Sequence, residues 1–153
     1  MPEVAAENTL EVLPGLWTSG QLSAEEIDRL PAEGFRAVIN LALPDSVPHL
    51  PGEAARVTGL GMTYVHIPVP WEAPTANHLA QFCAVMHAFT GQSVWVHCAK
   101  NMRVSAFVYL YRCCVLGEAE ATAREALLRI WMPNETWQQF INQQLTAHDI
   151  TPL

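Results

Sequence analysis

The sequence predicts an α/β domain with a central, mostly parallel sheet of four or five strands and helices on both faces. Short β-branched segments alternate with longer helical segments, as they do in β-α-β units. The segment 93–98, SVWVHC, is almost continuously apolar, which is typical of a central parallel strand covered on both sides. The chain has 153 residues and half of them are apolar, which suits one hydrophobic core. We therefore expect residues 1–153 to form a single domain.

The first half of the chain begins with two short strands about a Pro-Gly turn, over residues 9–20. A helix is predicted over 24–33, because Ser23 followed three residues later by Glu26 has the spacing of a capping box. Gly34 then ends this helix. The remaining elements of this half are predicted as a strand at 36–42, a short helix at about 51–59 and a strand at 62–69.

The second half contains a helix at 76–90 and then the central strand. The helix that follows, at about 104–116, is apolar almost all round and is therefore expected to be buried. Gly117 ends it. Two further helices are predicted at about 119–131 and 135–147, separated by Pro133 and with Asn134 as the N-cap of the second.

Composition and charge exclude several classes of function. The formal net charge of -7 argues against a nucleic-acid partner, although a buried loop can still hold an anion locally. No apolar run approaches the roughly 18 residues that span a bilayer, and the N-terminus lacks the pattern of a secretory signal. Four cysteines are too few for a disulfide scaffold in a chain of this length. We expect a cytoplasmic protein with no membrane partner and no cofactor, and with no metal, since His78 and His87 lack ligand spacing.

The strongest functional signal follows the central strand. It reads His97-Cys98-Ala99-Lys100-Asn101-Met102-Arg103-Val104-Ser105. In a strand–loop–helix, the loop amides can curl around an anion and the helix N-terminus adds its positive dipole. A thiol in such a field ionises more readily, and the thiolate is the better nucleophile. With the guanidinium of Arg103 as a planar donor, these parts make a nucleophile that attacks a bound phosphoryl group.

This segment resembles the signature of the cysteine-based protein tyrosine and dual-specificity phosphatases, which is His-Cys, five residues, Arg, then Ser or Thr. The stretches LWTSGQLSAEEIDRLPAEGFRAVINL and YVHIPV are similar to a bacterial branch of phosphatase-like proteins that also uses a shorter loop. The resemblance covers roughly residues 10–115 and implies a phosphatase-like fold. It implies that Cys98 forms a phosphocysteine, that His97 sets the geometry and pKa of the cysteine, and that Ser105 assists breakdown of the intermediate. The phosphate-binding loop would comprise His97, Ala99, Lys100, Asn101, Met102 and Val104.

The arginine departs from that signature. Only four residues separate Cys98 from Arg103, and Val104 occupies the arginine position of the family. Asn101 stands where the family usually has glycine, and asparagine tolerates the left-handed conformation better than most residues. One step along a helix turns a side chain by roughly 100°. Either the loop is one residue shorter and Arg103 still reaches the anion, or the side chain points elsewhere.

The general acid is the least defined part of the site. In the family it is usually an aspartate on the loop before the helix that precedes the motif's strand. Here that loop, residues 70–75, contains no aspartate. Glu72 is the candidate acid and Asp45 is the second choice, while Trp71 is expected to help close the site. Without an aspartate, activity is expected to be slow or confined to good leaving groups.

Three functions remain open at this point. The first is a cysteine-dependent phosphoric monoester hydrolase acting on a phosphorylated small molecule or a phosphoprotein. The second is a catalytically impaired module that binds phosphate or a phosphorylated partner without cleaving it. The third is a thiol-transfer or redox protein that uses Cys98. The sequence names neither the substrate nor the oligomeric state.

Overall fold

The computed structural model of the protein describes residues 4–150 and contains a five-stranded sheet. The strands lie in the order β1-β2-β5-β3-β4, in which only the pair β1 and β2 is antiparallel. Their bounds are Leu10–Leu13 (β1), Leu16–Ser19 (β2), Phe35–Asn40 (β3), Thr63–His66 (β4) and Ser93–His97 (β5). The predicted class, a mostly parallel sheet of four or five strands, is confirmed.

In the described part of the chain, six α-helices follow or connect these strands. They are Ala24–Arg29 (α1), Glu53–Gly59 (α2), Ala76–Ala88 (α3), Met102–Cys114 (α4), Glu120–Ile130 (α5) and Glu135–Ala147 (α6). Alternate residues of the central strands face opposite sides. Val38 and Trp95 pack with α1 and α2, whereas Ile39 and Val96 pack with α3 to α6. Helices therefore cover both faces, as the sequence predicts.

Two helix caps form as their sequence patterns predict. At the start of α1, the Ser23 hydroxyl accepts the amide of Glu26 at 3.2 Å, and the Glu26 carboxylate accepts the amide of Ser23 at 2.8 Å. Asn134 caps α6 by accepting the amide of Trp137 at 3.0 Å. Because these signals act over three residues, they depend little on the rest of the fold.

Two predicted elements end early at a proline. The helix predicted over 24–33 divides after Arg29, and a short 3-10 turn occupies Pro31–Glu33, because Pro31 has no N–H to continue the α-helical pattern. The strand predicted over 62–69 ends at His66 before Pro68, which cannot donate to a neighbouring strand. Among residues 4–150, no helix combines the length and apolarity needed to cross a bilayer.

Candidate active site

Cys98 lies directly after β5, at the carboxyl end of the central strand of the sheet. Its side chain is buried, with 1% exposure. Three residues later Asn101 takes the left-handed conformation, with φ of 67°, and α4 begins at Met102. The chain therefore makes a four-residue loop between the strand and a buried helix, at the edge where open parallel sheets bind ligands.

One cavity joins the cysteine and the arginine of the motif. It has a volume of ≈ 290 Å³, and the side chains that line it are Val47, Trp71, Cys98, Ala99, Lys100, Met102 and Arg103. Although Arg103 comes one residue early for the phosphatase signature, it still lines the same cavity as Cys98. Two residues with cationic side chains and several apolar residues thus line the same cavity as the cysteine.

The Arg103 guanidinium is buried without a carboxylate partner in the part of the chain that the structure describes. Only 6% of the residue is exposed. Its Nη1 donates to the carbonyl oxygen of Val69 at 3.1 Å, and its Nη2 donates to the hydroxyl of Ser46 at 3.4 Å. A buried guanidinium that contacts only neutral acceptors is costly, and an anion in the adjoining cavity would offset that cost.

Two carbonyl oxygens of the loop accept hydrogen bonds from distant segments of the same chain. The Ala99 carbonyl accepts the amide of Gln21 at 3.0 Å, and the Lys100 carbonyl accepts the side-chain amide of Asn8 at 3.0 Å. Carbonyl oxygens that are used in this way do not repel an anion bound on the other side of the loop. This arrangement favours a backbone nest.

The amides at the start of α4 are free of helical acceptors. The first hydrogen bond of this helix runs from the Ser105 amide to the Asn101 carbonyl at 2.9 Å. The helix itself therefore supplies no acceptor to the amides of Met102, Arg103 and Val104. Free amides and the positive end of a helix dipole together make an anion site.

Residues near the N-terminus fasten this loop in place. Asn101 donates through its side chain to the Asn8 carbonyl at 2.8 Å and to the Thr18 hydroxyl at 2.9 Å. Gly20 packs so closely that a Cβ atom there would lie 2.6 Å from the Ala99 oxygen. Sequence reasoning missed both Asn8 and Gly20, because their contacts join segments about 80 to 90 residues apart and no local pattern marks them.

His97 is fully buried and is paired with a residue that the sequence did not single out. Its Nε2 lies 2.6 Å from the Glu53 carboxylate, and its Nδ1 lies 3.2 Å from the Cys98 carbonyl oxygen. Burial acts to raise the pKa of Glu53, but the hydrogen bond and charge of His97, together with a hydrogen bond from Gln21, hold that pKa below its usual value of 4.5. The pair links α2 to the strand that carries the cysteine.

Ser105 lies outside the cavity. Its hydroxyl donates to the Met102 carbonyl at 2.8 Å and accepts the indole N–H of Trp131 at 3.0 Å. Val104, in the preceding position of the helix, is fully buried in the hydrophobic core. The structure therefore does not bring the Ser105 hydroxyl together with Cys98, and its assisting role stays a prediction.

Neither candidate acid lines the cavity. Glu72 and Asp45 are both exposed. The loop that carries Glu72 instead contributes Trp71 to the cavity wall, and the indole N–H of Trp137 donates to the Trp71 carbonyl at 2.9 Å. The assignment of the acid stays a prediction.

A second, larger cavity lies beside the site. A larger open groove of ≈ 930 Å³ lies between the N-terminal segment and α1, and it meets the loop at Ala99, but Cys98 and Arg103 do not line it. The smaller cavity is the better candidate despite its volume, because it contains the thiol and the guanidinium. Within residues 4–150, no three His, Cys, Asp or Glu side chains are grouped so that they could hold a metal ion.

A family model described as "DSP-PTPase phosphatase fused to NAD+ Kinase" matches residues 4–146. A crystal structure of a DUF442 protein from Shewanella putrefaciens CN-32, itself described only as a candidate phosphatase, is 30% identical with a TM-score of 0.83, covering 94% of this chain and 95% of that one. PTPMT1 in complex with PI(5)P is similar in fold, with 16% identity, a TM-score of 0.78, and 94% and 97% of the two chains covered. The core catalytic domain of the PP-IP phosphatase SIW14 from S. cerevisiae is also similar in fold. It is 15% identical with a TM-score of 0.72, and the match covers 97% of this chain and 96% of that one. None of the curated protein sequences compared with this chain matches it.

Proposed function

Because this chain belongs to the superfamily of cysteine-dependent tyrosine and dual-specificity phosphatases, we propose that it hydrolyses a phosphomonoester through a phosphocysteine on Cys98. The observation that carries this proposal is the cavity itself. Cys98 and Arg103 are both buried and line one cavity at the N-terminus of α4. The Arg103 guanidinium has no carboxylate partner among residues 4–150. The substrate is a phosphorylated small molecule or a phosphoprotein.

In the first step, the Cys98 thiolate attacks phosphorus and the bond from phosphorus to the leaving oxygen breaks. The leaving oxygen takes up a proton and departs as an alcohol or a phenol. Arg103 and the amides at the start of α4 neutralise the equatorial oxygens as charge develops on them. In the second step, water attacks the phosphocysteine, the P–S bond breaks, and inorganic phosphate and the thiolate are released.

The lining of the cavity favours a phosphate ester whose leaving group departs without a proton from an acid. Val47, Trp71 and Met102 form an apolar wall, and no carboxylate from the described part of the chain contributes to the lining. A phenol departs without full protonation, whereas an alkyl alcohol requires an acid. We therefore expect p-nitrophenyl phosphate to be turned over much faster than β-glycerophosphate. Glu72→Gln should leave the aryl rate within about twofold, since that leaving group needs no acid, and any role for Glu72 should appear with the alkyl ester.

The test is turnover of p-nitrophenyl phosphate by wild-type protein and by Cys98→Ser. We expect wild-type turnover, no turnover by Cys98→Ser, and a mass increase on the peptide containing Cys98 after acid quenching. Cys83→Ser is the matched control, because Cys83 lies in α3 away from the cavity, and it should behave as wild type. Phosphate affinity by calorimetry without turnover would instead support a module that binds but does not cleave.

The names of the relatives suggest a panel for the natural substrate. It should contain PI(5)P, which is bound to PTPMT1, and inositol pyrophosphates, on which SIW14 acts. It should also contain NADP+, because the matching family pairs this domain with an NAD+ kinase, whose product carries a phosphomonoester. Among residues 4–150, two residues with cationic side chains line the cavity, which favours substrates with a single phosphate over polyphosphorylated inositols.

A further inference from the structure

The two ring nitrogens of His97 face a backbone carbonyl, which can only accept a hydrogen bond, and a carboxylate, which can only accept one while it is ionised. Nδ1 lies 3.2 Å from the backbone carbonyl of Cys98, and Nε2 lies 2.6 Å from a carboxylate oxygen of Glu53. A neutral imidazole carries a proton on one nitrogen only, so it satisfies one of these two contacts. An imidazolium satisfies both.

The alternative is that Glu53 itself carries the proton. Its other carboxylate oxygen receives a hydrogen bond from the Gln21 side-chain amide at 2.7 Å, and that same amide nitrogen also donates to the Leu22 carbonyl at 3.0 Å. The second contact fixes the Gln21 nitrogen as the donor. Glu53 is therefore surrounded by donors, which stabilise the ionised carboxylate despite 5% exposure.

We propose that Glu53 is a positioning residue that keeps His97 doubly protonated, so that the positive end of a buried ion pair faces the loop carrying Cys98. Its catalytic consequence rests on the function proposed above. Because the imidazolium is adjacent to Cys98 and the carboxylate lies beyond it, the pair acts as a dipole that favours the thiolate over the thiol.

Other titratable groups act on this pair from β4 and from the loop. Tyr64 is close to Glu53, and burial raises the pKa of its hydroxyl to about 12, so it is neutral at working pH. His66 also acts on Glu53, and its Nε2 lies 2.6 Å from the Ala42 carbonyl. Cys98 is the group whose charge changes in the reaction. Glu53 is thus the counter-ion that contacts the His97 ring directly.

The test uses Glu53→Gln, which keeps the size and an acceptor oxygen but removes the charge. The rate at which iodoacetamide alkylates Cys98 is followed against pH by mass spectrometry of its peptide. We expect the midpoint of this profile to rise by about one pH unit, so that alkylation at acidic pH becomes about tenfold slower. Asp28→Asn is the matched control, because it removes one charge from an exposed ion pair with Arg56. Arg56 lies on the same helix as Glu53. It should leave the profile unchanged.

A second measurement reads the protonation of His97 directly. Nitrogen NMR of ¹⁵N-histidine-labelled wild-type protein should show both His97 nitrogens protonated at pH 7, and Glu53→Gln should show one. A neutral His97 in the wild type, or an unchanged alkylation profile in folded Glu53→Gln, would overturn the proposal. Neither measurement depends on turnover. A shifted profile in a protein that hydrolyses no ester would therefore uphold this inference and defeat the proposed function.

Discussion

Replacing Gly20 by alanine tests how closely the loop 98–101 packs against the residue that follows β2. A Cβ atom at this position would lie 2.6 Å from the Ala99 oxygen, 3.1 Å from the Lys100 Cα and 3.2 Å from the Glu7 oxygen. Since ordinary contacts begin at 3.4 Å, the Ala99 oxygen would have to retreat by about 0.8 Å. All three neighbours are backbone atoms, so no side chain can simply swing away.

We expect Gly20→Ala to cost about 2–3 kcal/mol of unfolding free energy, within the range for overpacking, measured by urea denaturation. Displacement of the loop by most of an ångström should also lower kcat/KM for p-nitrophenyl phosphate by about 10²-fold. Gly59→Ala is the control, because nothing lies within 4 Å of a Cβ atom there. That variant should keep wild-type activity. A Gly20→Ala protein with wild-type stability and turnover would refute the close fit.

Three further predictions concern groups that hold the anion or the loop. Arg103→Lys should lower kcat/KM by about 10²-fold, because lysine lacks the planar fork, whereas Arg129→Lys on the exposed side of α5 should have no effect. Asn101→Ala should be less stable than Asn101→Gly by about 1 kcal/mol in urea denaturation. Both variants lose the side-chain hydrogen bonds, but only alanine is strained at φ of 67°. Equal stabilities of the two variants would contradict this. Because the pKa of Glu53 is lowered on folding, its ion pair contributes fully above pH 4.5 and is lost as pH falls further. Urea denaturation should therefore show a smaller gap between wild type and Glu53→Gln at pH 3 than at pH 7.

The parts of the fold that the sequence predicts are those with short-range causes. The capping box at Ser23 and Glu26 needs only one helical turn, and the apolar run at 93–98 indicates a central strand because both of its faces are covered. The same local reasoning located Cys98 and Arg103, since a strand–loop–helix places them within six residues. These elements required no knowledge of the tertiary fold.

The features that the sequence could not predict depend on distant segments. Glu53 contacts His97 across 44 positions of the sequence. It is a single glutamate in a short helix, and no local sequence pattern predicts that contact. Asn8 contacts Asn101 across 93 positions. The direction of the Ser105 hydroxyl depends on Trp131, which approaches from the junction between α5 and α6. Residues of this kind acquire a role only when packing brings their elements together.

The placement of Arg103 in the lining of the cavity, with four residues between it and Cys98, has a physical explanation in the same packing. Removing one residue rotates each later side chain of the helix by roughly 100°, which would turn an arginine away if the helix kept its place. Here Asn101 makes a left-handed turn directly before α4, and its side chain ties that turn to Asn8 and Thr18. Arg103 lies in the first turn of the helix, its guanidinium donates to the Val69 carbonyl and the Ser46 hydroxyl, and the residue lines the same cavity as Cys98. The start of the helix, together with the count of residues after the cysteine, therefore sets which cavity the arginine lines.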